Sequence, residues 1–185
     1  MSVGGLGSTR LRGRAWRFGD DVDTDQIIPA RYAIYSLDEA RLGEHAMEGV
    51  PGVGPGWARR VRPGDVIVAG SNFGCGSSRE IAPVAIRGAG IACVVAASFA
   101  RIFFRNAINL GYPIVQSPAA AAGVEEGDEV EVDLEAGVVR DLTAGREYPA
   151  EPFPPFMTEL MRTGGLVPWV RRRLQERRAE GGREA

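Results

Sequence analysis

The feature of this sequence that most constrains its fold is a succession of an apolar segment, a glycine-rich loop, a helix-like stretch and a second apolar segment. Val66–Ala69 is the first apolar segment, and Ile91–Ala97 is the second. A continuous apolar run of this length is typical of a strand that is buried on both faces of a parallel sheet. The succession therefore predicts a β-α-β unit in an α/β domain, with parallel strands and a right-handed crossover.

The glycine loop, Asn72–Glu80, places two hydroxyls and a guanidinium directly after its glycines. Glycine tolerates positive φ and lets an anion approach the backbone closely. Ser77 and Glu80 have the spacing of a capping box, and the free amides at a helix N-terminus favour an anion. The planar fork of Arg79 suits a bidentate grip on a carboxylate. The loop predicts a carboxylate site, and the alternative is an ordinary capped helix with a solvated arginine.

The acidic segment, residues 20–29, crowds four carboxylates into six positions. Crowded carboxylates suggest either a hard cation or a hydrogen-bonded turn. The segment lacks the central glycine and distal glutamate of a calcium-binding loop. We therefore favour the turn.

Composition excludes several functions. The net charge is -2, whereas a general nucleic-acid binder usually carries a basic excess. The chain has no lysine, which excludes Schiff-base chemistry, and only two cysteines, too few for an iron–sulfur cluster or a structural zinc site. Neither a signal peptide nor a membrane-spanning run is recognisable, so we expect a cytoplasmic protein without a membrane partner.

The chain of 185 residues suits one domain with frayed ends. We predict a flexible leader over residues 1–12, a domain over 13–170 and a charged tail over 171–185. Residues 128–140 predict a hairpin with Val130, Val132 and Leu134 inward. A helix over 99–110, capped by Ser98, carries polar side chains that could orient the glycine loop or simply face solvent: Arg101, Arg105, Asn106 and Asn109.

Three motifs in co-linear order resemble the small subunits of 3-isopropylmalate dehydratases, in the aconitase superfamily. They are residues 23–32, 70–80 and 98–106, and the match extends over 13–170. The resemblance implies a swivelling β/β/α domain, with a mixed sheet or partial barrel flanked by helices. It also implies a separate large subunit that carries a four-iron, four-sulfur cluster, with no cofactor bound by this chain.

The resemblance also implies roles for individual residues. Ser77 would be the catalytic base, held as an alkoxide, and Arg79 would grip a substrate carboxylate. Ser78 and Gly76 would contact the substrate, and the supporting residues would be Asp23, Thr24, Asp25, Glu80, Arg101, Arg105 and Asn106. One departure is Ile81, because many relatives have histidine after the glutamate.

Substrate choice in this family is implied to depend on the loop Tyr32-Ala33-Ile34-Tyr35. An arginine there would suit an extra carboxylate, whereas Ala33 and Ile34 suit an isopropyl group. We therefore expect a hydroxy dicarboxylate of the isopropylmalate type, with homoaconitate or a methylated malate as alternatives. Ile34 could instead pack inside the subunit. A non-catalytic anion-binding module or structural partner is the remaining possibility, although the phosphate-loop pattern Gly-x-x-x-x-Gly-Lys is missing.

Overall fold

The computed structural model describes residues 9–35 and 37–181, and within these residues seven strands form one mixed sheet. The strands are β1 (Arg10–Arg17), β2 (Val66–Ala69), β3 (Cys93–Ala96), β4 (Ile114–Gln116), β5 (Glu129–Asp133), β6 (Val138–Asp141) and β7 (Arg146–Pro149). The helices are α1 (Thr24–Ile27), α2 (Glu39–Glu44), α3 (Ile81–Gly88), α4 (Arg101–Asn109), α5 (Pro118–Gly123), α6 (Pro155–Thr163) and α7 (Leu166–Gly181), with 3-10 helices at Ala30–Tyr35 and Trp57–Arg60.

The sheet is parallel on one side of β1 and antiparallel on the other. Its order is β4-β3-β2-β1-β5-β6-β7, and β1 to β4 are mutually parallel. On the other side β5 pairs antiparallel with β1, and β6 and β7 continue as a meander. The predicted α/β class, the β2-α3-β3 unit and the hairpin of β5 with β6 are confirmed.

Both faces of the parallel strands are buried, as their continuous apolar sequences predict. Alternate residues of each strand belong to two separate cores. Ile67 and Val94 face the core built with α2, α3 and α4, whereas Val66 and Val95 face the core shared with α5 and the antiparallel strands. Val130, Val132 and Leu134 of the hairpin are buried in this second core, as predicted.

The ends of the domain differ from the predicted boundaries. β1 begins at Arg10, so residues 10–12 of the predicted leader pair with β5. Residues 171–181 of the predicted tail belong to α7. Residues 1–8 and 182–185 of the predicted leader and tail lie outside the described residues.

The predicted capping box of Ser77 with Glu80 and the predicted cap at Ser98 are both wrong. α3 begins at Ile81 after Glu80, and neither Ser77 nor Glu80 caps it with a side-chain hydrogen bond. Arg79 N–H instead donates to the Ser77 carbonyl at 2.8 Å, a tight turn that separates Ser77 from the helix. Pro83 then falls in the first turn of α3, where a missing N–H costs little. Ser98 is not the cap of α4 either. The residue before α4 is Ala100, and the Ser98 hydroxyl accepts from the backbone N–H of Asn72 instead.

Candidate active site

The acidic segment and the glycine loop follow neighbouring parallel strands, β1 and β2, and therefore meet at the carboxyl edge of the sheet. Backbone hydrogen bonds join them directly. Gly74 N–H donates to the Val22 carbonyl at 2.7 Å, and Thr24 N–H donates to the Cys75 carbonyl at 2.9 Å. Ligands of open α/β sheets bind at this edge, so the two segments form the candidate site.

The acidic segment is a capped helical turn, as predicted. Asp23 accepts from Gln26 N–H at 2.7 Å, and the Gln26 side chain accepts from Asp23 N–H at 3.1 Å, which completes a capping box at α1. The cap fixes the orientation of Thr24 and Asp25 at the start of the helix. Asp23 therefore supports the site by shaping the backbone.

The glycine loop lies against α4 without space for a side chain at Gly74. Gly74 has a φ of +79°, and a Cβ there would lie 2.2 Å from Cγ of Phe103. Gly76 has a φ of +90°, and its Cβ would lie 3.4 Å from the Thr24 hydroxyl. Packing against Phe103 requires glycine at position 74, and the left-handed backbone favours glycine at both positions.

Ser77 is exposed, and its hydroxyl has one protein partner among the described residues. Ser77 Oγ lies 3.1 Å from Thr24 Oγ1, and the Thr24 hydroxyl is also 3.2 Å from the Ser77 carbonyl oxygen. Thr24 is 2% exposed, whereas Ser77 and Ser78 face solvent. A buried hydroxyl thus holds an accessible one, and the Ser77 hydroxyl remains open to a ligand.

Arg79 is folded back over α1. Its Nη1 donates to Asp25 Oδ1 at 2.5 Å and to the Ile28 carbonyl at 3.1 Å. Within residues 9–35 and 37–181, Nη2 and Nε make no hydrogen bond. The guanidinium is therefore fixed by one nitrogen and keeps donors for a carboxylate ligand.

The predicted specificity loop is the 3-10 helix Ala30–Tyr35, and stacked rings support it. The ring of Tyr32 stacks on His45 with centroids 3.8 Å apart, and its hydroxyl donates to Glu48 at 2.7 Å. Burial opposes ionisation of Glu48, but hydrogen bonds with His45 and Tyr32 and the charge of Arg31 hold its pKa below the usual value. This support was not recognisable in the sequence, because no motif links His45 or Glu48 to the loop.

The side chains at the tip of this 3-10 helix point away from the subunit. Ala33 is exposed, Ile34 is 81% exposed, and Tyr35 is half-buried against Tyr32 and His45. The alternative that Ile34 packs inside the subunit is therefore wrong.

The remaining predicted site residues lie at the rim without holding the loop. Arg101 and Arg105 are exposed on α4, and neither guanidinium has a partner within the described part of the chain. Asn106 is half-buried, and Glu80 is exposed. The contact between α4 and the glycine loop is made by Phe103 instead.

The chain does not hold residues that fit a four-iron, four-sulfur cluster. In the described residues no three or more His, Cys, Asp or Glu side chains are grouped so as to bind a metal ion. The two cysteines lie in different places, Cys75 in the glycine loop and Cys93 in the core of β3. Burial and the neighbouring carboxylates of Asp21 and Asp23 raise the pKa of the Cys75 thiol, and burial raises that of Cys93.

Comparison with known proteins decides the family. The 3-isopropylmalate dehydratase small subunit of Moorella thermoacetica is 56% identical over 165 residues, which cover 89% of this chain and 97% of that protein. The small subunit 1 of Methanopyrus kandleri is 56% identical over 162 residues, 88% of this chain and 93% of that protein. This chain belongs to the 3-isopropylmalate dehydratase small-subunit family. The crystal structure of a 3-isopropylmalate dehydratase from Methanocaldococcus jannaschii agrees, with a TM-score of 0.83 at 41% identity over 92% of this chain and 99% of that one.

A family model also matches the middle of the chain. A family model described as the aconitase C-terminal domain matches residues 43–119, from the end of α2 to the start of α5. This range contains the glycine loop and excludes the acidic segment and the specificity loop. The mixed sheet flanked by helices, predicted from the resemblance, is confirmed by the match to the solved family member. No helix among the described residues is long and apolar enough to span a membrane.

Proposed function

We propose that this chain is the small subunit of a two-subunit hydro-lyase that interconverts 2-isopropylmalate and 3-isopropylmalate in leucine biosynthesis. The observation that carries the proposal is the pair of groups on the glycine loop: an exposed Ser77 hydroxyl and a partly free Arg79 guanidinium. Membership of the family supports the same reaction. An enzyme of amino-acid biosynthesis would act in the cytoplasm.

Ser77 is the proposed base. As an alkoxide it takes the proton from the carbon beside a carboxylate, the freed electron pair forms the alkene, and hydroxide leaves from the neighbouring carbon and takes a proton from solvent to become water. In the second half-reaction a water molecule gives one proton back to solvent as its hydroxyl bonds to the carbon that lost the proton, while Ser77 returns its proton to the other carbon. Serine performs this role only where positive groups and hydrogen-bond donors stabilise the alkoxide.

Arg79 is the proposed carboxylate clamp. Its Nη1 is engaged by Asp25 and Ile28, which supports an orientation in which the other nitrogens face the substrate. A planar guanidinium binds a carboxylate through two parallel hydrogen bonds, and this fixes the substrate relative to Ser77. The roles of the two residues are therefore separate, one in proton transfer and one in positioning.

The partner is a large subunit, and the family implies that this subunit carries the four-iron, four-sulfur cluster. When bound, such a cluster supplies a Lewis acid for the leaving hydroxyl. The two cysteines of this chain do not fit that cluster. We propose that this chain supplies the base and the clamp, and that the site is completed only in the heteromeric complex.

The substrate is proposed to be isopropylmalate because the exposed tip of the 3-10 helix is apolar and uncharged at Ala33 and Ile34. A second candidate, citramalate, is a methylated malate. It is favoured by a relative from Methanocaldococcus jannaschii, 48% identical over 166 residues (90% of this chain, 96% of that protein), which is named an isopropylmalate/citramalate isomerase small subunit. Homocitrate, with an additional carboxylate, suits this surface less well.

To test this proposal, the chain is co-expressed with a cluster-bearing large subunit. The rate of alkene formation is then measured by absorbance with isopropylmalate, citramalate and homocitrate in separate assays. We expect turnover of isopropylmalate with the highest kcat/KM. Absence of turnover of all three by a complex with a loaded cluster would leave a non-catalytic structural partner as the better proposal. Preference for citramalate would select the second candidate.

The base assignment is tested by Ser77→Ala in the same complex. We expect kcat to fall by roughly 10²-fold or more, because a positioned acid or base contributes about this much. Ser71→Ala is the matched control, since Ser71 is an exposed serine at the beginning of the same loop. A kcat near that of the wild type in Ser77→Ala would move the base to another residue.

A further inference from the structure

The hydroxyl of Thr24 is buried against the serine that we propose as the base. It lies 3.1 Å from Ser77 Oγ and 3.2 Å from the Ser77 carbonyl oxygen, and Thr24 is 2% exposed. The Thr24 backbone is fixed independently, because its N–H donates to the Cys75 carbonyl and it opens the capped helix α1. The side chain therefore has little freedom except rotation of its hydroxyl proton.

We propose that Thr24 is a positioning residue that stabilises the deprotonated oxygen of Ser77. This inference rests on the proposed function, in which Ser77 acts as base. When Ser77 is neutral, its hydroxyl donates to Thr24 Oγ1 while Thr24 donates to the Ser77 carbonyl. When Ser77 is an alkoxide, the Thr24 proton turns toward it and makes a charge-assisted hydrogen bond, the stronger kind. Thr24 keeps its own proton throughout, so no proton is transferred to or from it.

Of the other groups near this pair, Arg79 keeps its free donors for the substrate carboxylate, and Cys75 is a poor donor to an alkoxide. Arg79 directs Nη1 at Asp25 and the Ile28 carbonyl. Cys75 donates to the Asp21 carbonyl, and its raised pKa keeps the thiol neutral. The charged and titratable groups on the two segments that meet here are Asp20, Asp21, Asp23, Asp25, Cys75, Arg79 and Glu80. Among the described residues, the hydroxyl of Thr24 is the side-chain group that contacts Ser77 Oγ.

The experiment is Thr24→Val in the complex with the cluster-bearing large subunit. Valine keeps the shape of threonine and removes the donor. The expected result is an upward shift of about one pH unit in the acidic limb of the kcat–pH profile. At a fixed pH below that limb kcat falls about tenfold, while KM stays within about twofold, since one pKa unit is a factor of ten in the ionised fraction. Thr24→Ser retains the hydroxyl, so its acidic limb is expected at the same pH as in the wild type.

Two further variants make each outcome decisive. Thr158→Val, at a buried threonine of α6, controls for the general loss of a buried hydroxyl and should leave the profile unchanged. If Thr24→Val does not assemble with the large subunit, Thr24→Ala removes the same donor with a smaller side chain, and its acidic limb must show the same shift. An unshifted limb and a normal kcat in Thr24→Val or Thr24→Ala would overturn this inference.

Ser77→Ala, measured in parallel, separates the inference from the function on which it rests. If Ser77→Ala is inactive while the Thr24 variants behave as the wild type, only the role of Thr24 is wrong. If Ser77→Ala keeps its kcat, the base assignment fails and the role of Thr24 fails with it.

Discussion

Arg79 divides its guanidinium between the protein and the space in front of the glycine loop. One nitrogen is held by Asp25 and by the backbone of Ile28. The Asp25 carboxylate is itself exposed, so water competes with Arg79 for it, and forming the ion pair buries no carboxylate charge. The contact therefore orients the arginine at little energetic cost and does not neutralise it for a substrate.

At the residue scale, Arg79→Lys tests this geometry. Lysine keeps the charge but loses the planar fork, so we expect KM to rise by about tenfold while kcat changes less. Steady-state kinetics of the reconstituted complex measure both parameters. Arg101→Lys, at an exposed arginine without a partner among the described residues, is the matched control. An unchanged KM in Arg79→Lys would exclude the clamp.

The residues of the candidate site could be proposed from the sequence, but the contacts that hold them could not. Ser77, Arg79 and Thr24 stand in motifs, and glycines before a serine and an arginine have a physical reason at an anion site. The contact of Thr24 with Ser77 joins positions 53 residues apart, and that of Arg79 with Asp25 joins positions 54 apart. Local spacing contains no information about such pairs, because they depend on which strands become neighbours.

At the element scale, the 3-10 helix Ala30–Tyr35 presents an apolar tip on a supported base. Tyr32 is tied by its ring to His45 and by its hydroxyl to Glu48. Ala33 and Ile34 are consequently held in place although they contact little of this chain. A rigid base with a free tip suits a segment that selects a substrate by its side chains.

Ile34→Arg tests this element. We expect kcat/KM for isopropylmalate to fall by about tenfold or more, because an apolar contact is lost and a charge faces the isopropyl group. Turnover of homocitrate, which has an extra carboxylate, should rise relative to isopropylmalate. Leu142→Arg makes the same change at another exposed aliphatic residue, next to β6, and should leave selectivity unaltered. Equal selectivity in the two variants would place the loop away from the substrate.

Element boundaries were the least predictable part of the fold. The spacing of Ser77 and Glu80 indicated a capping box, yet α3 begins at Ile81, because Gly76 adopts positive φ and Arg79 N–H bonds to the Ser77 carbonyl. Local propensity describes what a segment can do alone. The backbone here is held by the acidic segment, and that tertiary contact overrides the local preference.

At the scale of the whole molecule, Asp133 links the beginning of β1 to strands that follow more than a hundred residues later. It is buried at the end of β5 and accepts from Ala136 N–H at 3.0 Å and from Arg10 Nε at 2.9 Å. The Ala136 amide, and then Arg10 and Arg140, hold the pKa of Asp133 below its usual value against the effect of burial. The carboxylate thus ties β1 to the hairpin of β5 and β6.

Asp133→Asn should lower the stability of the fold at neutral pH by about 1 kcal/mol, or roughly 2–4 °C in Tm. Since the folded pKa lies below the unfolded value of about 4, the contribution of Asp133 is complete above pH 4 and is lost as the pH falls through the folded pKa. In thermal unfolding from pH 7 to pH 3, the difference in Tm between the two proteins should therefore become smaller toward the acid end. A difference that is independent of pH would assign the loss to packing instead.

The sheet as a whole was predictable in class but not in order. Apolar runs indicated buried parallel strands, and strict alternation indicated the hairpin, because each pattern reflects which faces are covered. The sequence contained no signal that β1 separates the parallel strands from the antiparallel ones. The position of β1 depends on which strands pair over long distances in the sequence. The family resemblance implied a mixed sheet, but it did not give the order of the strands.

The central position of β1 has a consequence for how the chain is made. Of the seven described strands, β1 leaves the ribosome first, yet its two neighbours are β2 and β5, and Arg10 contacts Asp133 across 123 positions. The parallel side, with both segments of the active site, can close once β4 has been synthesised, whereas the other edge of β1 remains open until the hairpin appears. Strands with such distant partners fold slowly and expose an unpaired edge in the meantime. During synthesis, the first strand of this chain is therefore the one most open to pairing with a wrong neighbour.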